Sequence, residues 1–278
     1  LEVPPLLVKG IVGGISCSAR SQLLAGNEKE LPRLADELLE WTLSFLNETV
    51  VELAELDLLA TRKSASEPTG ADEPHIHGNA GAPEGERELI LSAVAKLAFA
   101  DGYCRLTVPR ICAAAGIRRK GFETHFENVT DCFLATLKLR TFRAIEYAAT
   151  EAASGSSWPE GVNRATTALC QQIVRDPVFA KLAFIEAFAA GEEGVLCREG
   201  IMAAIVERFR AGAPRDQRPT RLAAETSVGA VWGLLHHYVI SGRAQQLPGL
   251  APTLSFLALA PTIGAPAAAE AIRREMAT

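Results

Sequence analysis

The chain has 278 residues, 48% hydrophobic and 22% charged, the balance of a globular protein long enough for more than one domain. Its net charge of −5 excludes a strongly basic protein, so contact with nucleic acid would need a local cluster of cations. No apolar run reaches the ~18 residues of a membrane span, and no signal peptide is recognisable. A cytoplasmic protein without a membrane partner is therefore expected.

The chain opens without an initiator methionine, which suggests that a further segment precedes it. The cysteines are dispersed and form no CxxC pair, which favours reduced, buried thiols over a zinc site or a disulfide framework. They are Cys17, Cys104, Cys112, Cys132, Cys170 and Cys197. No metal and no cofactor is expected.

Helical periodicity runs through almost the whole sequence, and no segment alternates like a strand, so the predicted fold is all-α. Residues 1–60 contain two predicted helices, one from about Pro4 to Ala25 and one beginning at Pro32. Residues 61–85 are rich in Gly, Pro, Ala and Ser and predict a flexible linker. Residues 86–139 and 140–278 form a second, larger helical block.

Two short helices joined by a tight turn are predicted within residues 107–126. Thr107 is placed to cap the first helix, Gly116 ends it, and the second helix runs from Arg118 to Phe126. This pattern fits a helix-turn-helix, whose second helix enters the DNA major groove. On periodicity alone it fits equally well a helix pair with a charged outer corner.

A repeat relates the two ends of the chain. A shift of 216 positions aligns residues 12–41 with residues 228–257 without a gap, so that Val12 pairs with Val228 and Pro32 with Pro248. The shared glycines and Leu-Pro pairs favour duplication over chance similarity of two amphipathic helix pairs. The first block then corresponds to the last two helices of a module whose second copy is complete.

One segment resembles the DNA-binding domain of the TetR family of bacterial transcriptional regulators. Its sequence is RELILSAVAKLAFADGYCRLTVPRICAAAGIRRKGFETHF. DPVFAKLAFIEAFAAG (176–191) resembles a ligand-domain helix of the same family, and the repeat resembles its dimerisation helices. The resemblance implies a helix-turn-helix head at residues 86–139 and a ligand-binding and dimerisation domain at residues 140–278. It implies a double-stranded DNA operator and a small hydrophobic effector as partners.

The residues expected to contact DNA lie on and beside the second short helix: Thr107, Arg118, Arg119, Lys120, Thr124 and His125. Two positions depart from the family pattern. Glu123 stands where an aromatic residue usually contacts phosphate, and Val129 stands where lysine is usual. Both losses should weaken DNA binding and flatten its salt dependence.

Apolar and aromatic residues between positions 140 and 225 are expected to line the effector pocket: Trp158, Phe179, Phe184, Phe188, Met202 and Phe209. For each of them, ordinary core packing is the alternative. The two helix pairs are expected to meet in an intramolecular pseudo-dimer through Gly13, Gly14, Trp41, Gly229, Trp232 and His236.

This arrangement resembles the rare repressors with two TetR modules in one chain, including a mycobacterial repressor of a mammalian-cell-entry lipid-import operon. The resemblance implies control of lipid transport or metabolism genes, with a first DNA-binding head outside this chain. A different hypothesis makes the chain a ligand-binding or assembly module whose head has lost most DNA contacts. A third hypothesis is a helical enzyme, but the sequence contains no nucleophile motif, phosphate loop or paired catalytic carboxylates.

Overall fold

The computed structural model describes residues 4–45, 55–56 and 85–277, and every regular element within these ranges is helical. The all-α prediction is confirmed. The predicted linker lies outside the described residues except for residue 85. No helix in the described ranges is both long and apolar enough to cross a membrane. In chain order the helices are α1 (Pro5–Leu24), α2 (Leu31–Leu43), α3 (Glu86–Asp101), α4 (Val108–Ala115), α5 (Arg119–His125), α6 (Val129–Ala153), α7 (Trp158–Arg175), α8 (Pro177–Lys181), α9 (Gly191–Gly212), α10 (Arg221–Ile240), α11 (Leu247–Ile263) and α12 (Ala265–Ala277).

Helix α8 continues beyond Lys181 through a π-helical segment (Leu182–Glu186) into a short last turn (Ala187–Ala189). The Asp176 side chain caps the start of α8 by accepting the Phe179 N–H at 2.9 Å. A π-segment places one extra residue in a turn, and such segments are frequent at functional sites. Here the segment ends on Glu186, which is only 7% exposed.

The chain forms two compact units. One comprises Leu1–Ala71, Glu146–Gln171 and Met202–Thr278, and the other comprises Asp72–Ile145 and Gln172–Ile201. The first unit contains α1, α2, α10, α11 and α12, and the second contains the helix-turn-helix and the π-segment.

In the first unit, α1 packs closely along α10 because glycines bring the two backbones together. A Cβ added at Gly14 would lie 2.5 Å from the carbonyl oxygen of Thr226, and one added at Gly229 would lie 2.6 Å from the Cβ of Cys17. A hydrogen bond also joins the two helices, since the hydroxyl oxygens of Ser18 and Thr226 are 2.8 Å apart. Only glycine fits at these two positions without displacing the neighbouring helix.

The two helix pairs of this unit match at the same shift of 216 residues that aligns their sequences. Helices α1 and α10 begin and end at equivalent residues, and 3₁₀ turns at Glu28–Glu30 and Ala244–Gln246 follow them. Gly26 and Gly242, which lie between each helix and its 3₁₀ turn, have φ angles of 71° and 69°. The same local backbone conformation is therefore built twice.

Candidate functional site

The turn between α4 and α5 has the geometry of a helix-turn-helix. Gly116 adopts a left-handed conformation with φ 68° and ψ 28°, and the Ile117 N–H donates to the Cys112 carbonyl at 3.1 Å. This Schellman-type end satisfies the last carbonyls of α4. Arg118 has an extended backbone conformation and occupies the N-cap position. Helix α5 therefore begins at Arg119, one residue after the predicted start.

Helix α5 is held by its two phenylalanines. Phe122 and Phe126 are 1% and 4% exposed, their ring centroids lie 5.8 Å apart, and the Arg87 guanidinium of α3 lies 5.5 Å from the Phe126 ring centroid. With this face buried, the residues between them are left exposed on the opposite side. The exposed side of α5 is therefore the surface on which the predicted DNA-contacting residues lie.

The predicted DNA-contacting residues divide into two groups. Thr107, Arg118 and Lys120 are exposed, and their side chains have no hydrogen bond or ion pair within the described ranges. The Thr124 hydroxyl donates to the Lys120 carbonyl at 2.8 Å, while His125 Nε2 lies 3.9 Å from a Glu86 carboxylate oxygen. The cations most available to a phosphate are thus those of Arg118 and Lys120.

Arg119 is engaged by Glu123, the residue that departs from the family pattern. Arg119 Nε donates to Glu123 Oε1 at 2.6 Å, one helical turn away. The hydrogen bond to this carboxylate raises the pKa of Arg119. The carboxylate of Glu123 therefore offsets the charge of a neighbouring cation.

The start of α6 carries further negative charge near α5. The Asp131 N–H donates to Asn128 Oδ1 at 2.8 Å, and Asp131 Oδ2 accepts the Glu127 N–H at 3.2 Å. This reciprocal cap satisfies the first turn of the helix without a cation. Val129, where the family usually has lysine, is the first residue of α6.

Two polar contacts within the second unit join α8 and its π-segment to the end of α3 and the turn that follows it. Glu186 Oε2 accepts the Tyr103 N–H at 2.7 Å, and Lys181 Nζ donates to the Phe99 carbonyl at 2.6 Å. The Tyr103 hydroxyl is in turn 2.9 Å from the Thr130 hydroxyl of α6. These contacts were not predicted, because they join residues about 80 positions apart, and the only sequence signal was a glutamate in the apolar run LAFIEAF.

The residues predicted to line an effector pocket fall into separate groups. Phe179 and Phe184 are buried together in the second unit, with ring centroids 6.2 Å apart, and Phe188 is 39% exposed beneath the Arg198 guanidinium. Trp158 and Phe209 pack in the first unit with centroids 5.3 Å apart. Met202 is also buried in that unit.

The first unit contains a cavity of about 350 Å³, and none of the predicted pocket residues lines it. Its lining combines alanine, proline and methionine with polar residues that include Glu151, Asn163, Arg164 and Gln171. Sequence reasoning missed these residues because it searched for apolar side chains. Polar side chains at four-residue spacing on α6 and α7 were the available signal.

The predicted interface residues lie in the first unit. Gly13, Gly14 and Gly229 lie at the contact of α1 with α10, and the Trp41 indole N–H donates to the Ser227 hydroxyl at 3.1 Å. Trp232 is buried, and His236 is half-buried. Of the adjacent histidines, His237 approaches α1, with its Nε2 3.3 Å from Lys9 Nζ.

Two of the cysteine thiols in the described part of the chain are deeply buried. Burial raises the pKa values of Cys132 and Cys170 to about 12, so both thiols are protonated at neutral pH. No group of three or more His, Cys, Asp or Glu residues in the described ranges is arranged to hold a metal ion.

No known family model and no curated protein matches the chain. Solved structures do resemble it. The fatty acid degradation regulator FadR from Bacillus halodurans is 17% identical with a TM-score of 0.52, and the match covers 64% of this chain and 97% of that one. FadR from Bacillus subtilis in complex with stearoyl-CoA is 16% identical with a TM-score of 0.47, covering 63% and 97%.

The TetR family repressor AlkX from Dietzia sp. strain DQ12-45-1b is 12% identical with a TM-score of 0.39, covering 63% of this chain and 97% of that one. At these identities the comparisons concern the fold alone. The chain has the all-α, TetR-like fold of these regulators.

Proposed function

We propose that this protein is a ligand-responsive, DNA-binding transcriptional repressor of the TetR family. The observation that carries the proposal is the helix-turn-helix, which exposes Arg118 and Lys120 at the start of a short helix whose opposite face is buried. Cations at this end of a recognition helix reach phosphates and guanine edges. The exposed hydroxyl of Thr107, at the start of α4, adds a donor for phosphate.

We further propose that the two helix pairs form an intramolecular pseudo-dimer, as in a repressor with two TetR modules in one chain. The support is that contacts between α1 and α10 occur in symmetric pairs. Gly13 meets Gly233, and Cys17 meets Gly229. Adding 216 to one member and subtracting it from the other converts the first contact into the second, which is the rule for an isologous interface.

Exposure differs between the two copies in a way that supports a missing first module. Val12 and Leu43 are 56% and 47% exposed, whereas their equivalents, Val228 and Leu259, are 8% and 0% exposed. In the second copy these two positions are therefore buried. A first module with its own DNA-binding head would cover the equivalent face of α1 and α2.

The polar contacts between α8 and α3 offer a route from effector to head within the second unit. Movement of the π-segment would carry Glu186 and Lys181 away from the end of α3, which packs against α4 and α5. An effector that favours one position of this segment would thereby change the DNA affinity. Lipid transport or metabolism genes are the proposed targets, and a small hydrophobic molecule is the proposed effector.

The proposal is tested by selecting bound sequences from a random duplex pool and measuring their affinity for the chain at several salt concentrations. We expect one enriched half-site, and an affinity that falls as salt rises, because phosphate contacts release counterions. Enrichment of no sequence, with equal retention of all duplexes, would contradict direct reading by this head.

Glu123→Gln is expected to raise affinity for the selected duplex about 3- to 10-fold, since it frees Arg119 and removes a repelling carboxylate. The plot of log affinity against log salt concentration should become steeper by the amount expected for about one additional phosphate contact. Glu192→Gln, which makes the same charge change on α9, serves as the control. Equal affinity gains from both substitutions would mean that overall charge is responsible.

The alternative function is a ligand-binding or assembly module with a weakened head. The Arg119–Glu123 pair and the acidic start of α6 favour it, because both reduce the positive potential of the DNA-facing surface. The selection experiment separates the two functions, since an assembly module would enrich no duplex.

A further inference from the structure

The polar cavity of the first unit has walls built from regular stripes on two helices. Tyr147 and Glu151 lie four residues apart on α6, while Asn163, Thr167 and Gln171 lie four residues apart on α7. Residues at this spacing share one helix face, so both stripes point into the same space. The start of α11 contributes Pro248, Gly249, Ala251 and Pro252, and α12 contributes Glu275 and Met276.

These polar groups lack partners in the protein. The side chains of Tyr147, Glu151, Thr167 and Gln171 make no hydrogen bond or ion pair with any other residue of the described ranges. Asn163 is only 6% exposed, and its Oδ1 also has no partner. Buried polar groups in proteins are normally paired, so the unpaired Oδ1 of Asn163 indicates a ligand. The other four side chains are half-buried and line the same cavity.

The charges around the cavity favour a cation. Arg164 Nη2 donates to Glu160 at 3.1 Å and to Glu275 at 3.0 Å, so two carboxylates match its positive charge, while its buried Nε has no partner. Hydrogen bonds from Ser156 lower the pKa of Glu160 to about 2, and burial raises the pKa of Glu275. The carboxylate of Glu151 remains without a counter-charge.

We propose that this cavity binds a small ligand carrying an ammonium group, with Glu151 as its counter-ion and Asn163, Thr167 and Gln171 as its hydrogen-bond partners. A volume of about 350 Å³ is at the small end of ligand pockets. An acyl chain with an anionic head fits neither this lining nor this charge. The ligand is therefore of a different class from the hydrophobic effector proposed above.

As an effector site, the cavity rests on the proposed repressor function, but ligand binding to the chain can be measured without DNA. Calorimetric titration of the full chain would use three probes of equal length: 1,4-diaminobutane, 1,4-butanediol and succinate. We expect the diamine to bind most tightly, the diol weakly and succinate not at all. This order follows from the unmatched carboxylate.

Glu151→Gln should weaken diamine binding at least about 10-fold, since it removes the charge-assisted hydrogen bond. Glu146→Gln is the matched control, because Glu146 lies on the same helix in an exposed ion pair with Arg208. Thr167→Val, a change of nearly equal volume, should also weaken binding and gives a second, independent variant.

Failure of the diamine to bind, tighter binding of succinate, or diamine affinity unchanged in both Glu151→Gln and Thr167→Val would overturn the proposal. If the diamine binds but the affinity of the chain for the selected duplex does not change, the cavity is a ligand site but not an effector site. If the diamine binds and the chain binds no duplex, the proposed repressor function is contradicted and the cavity proposal stands.

Discussion

A chain in which Arg118 and Lys120 are both replaced with glutamate will bind its selected duplex at least about 100-fold more weakly than the unmodified chain. Each side chain is exposed and unpaired within the described ranges, so its charge is available to DNA. Loss of a phosphate or base contact costs about 1–3 kcal/mol, and the introduced carboxylates add repulsion. Affinity should be measured by fluorescence anisotropy over a series of salt concentrations.

The control for this variant changes the net charge equally but leaves α5 and the rest of the second unit unchanged. Arg33 and Arg274 lie in the first unit with side chains 82% and 77% exposed, and both are replaced with glutamate. We expect the control to keep its duplex affinity within about 3-fold at physiological salt, because the cations of α5 are retained. An equal loss in both double variants would contradict a direct role for α5.

Gly14→Ala will lower the free energy of unfolding by about 1–3 kcal/mol, although alanine is the better helix former. Its added Cβ would lie 2.5 Å from the Thr226 carbonyl oxygen, a backbone atom that can yield only if α1 and α10 separate. Denaturant unfolding of the full chain, followed by circular dichroism, measures the change.

Gly200→Ala provides the same substitution where there is room. It lies within α9, and an added Cβ there meets nothing within 4 Å, so we expect a gain of about 0.5–1 kcal/mol from helix propensity alone. Opposite signs for the two variants would identify close helix contact as the cause. A stabilising Gly14→Ala would show that α1 and α10 do not pack closely in solution.

Local patterns predicted the helices well. The sequence placed a helix from Pro4 to Ala25, and α1 spans Pro5–Leu24, because proline and glycine mark both ends. The turn at Gly116 was also predicted, since a left-handed residue between two short helices requires glycine. These features depend on residues within a few positions of one another.

Side-chain partners were harder to predict. The pairing of Arg119 with Glu123 is allowed by their spacing of four residues, whereas the sequence pattern predicted that Arg119 contacts DNA. The contact of Glu186 with Tyr103 depends on how α8 packs against α3, which no local pattern reports. The polar cavity depends similarly on helices far apart in sequence, and apolar composition pointed to other residues.

The contact between Gly14 and Ala230 shows what covalent linkage allows. These residues are equivalent under the repeat, and an added Cβ at Gly14 would lie 3.2 Å from the Ala230 Cβ. In a homodimer, one gene change alters both subunits, so the two sides of a symmetric contact must be identical. If the halves share one polypeptide, as proposed, each can mutate alone, and a small residue on one helix can accommodate a larger one on the other. Under the proposed arrangement, such a seam would let two DNA-binding heads diverge toward different half-sites.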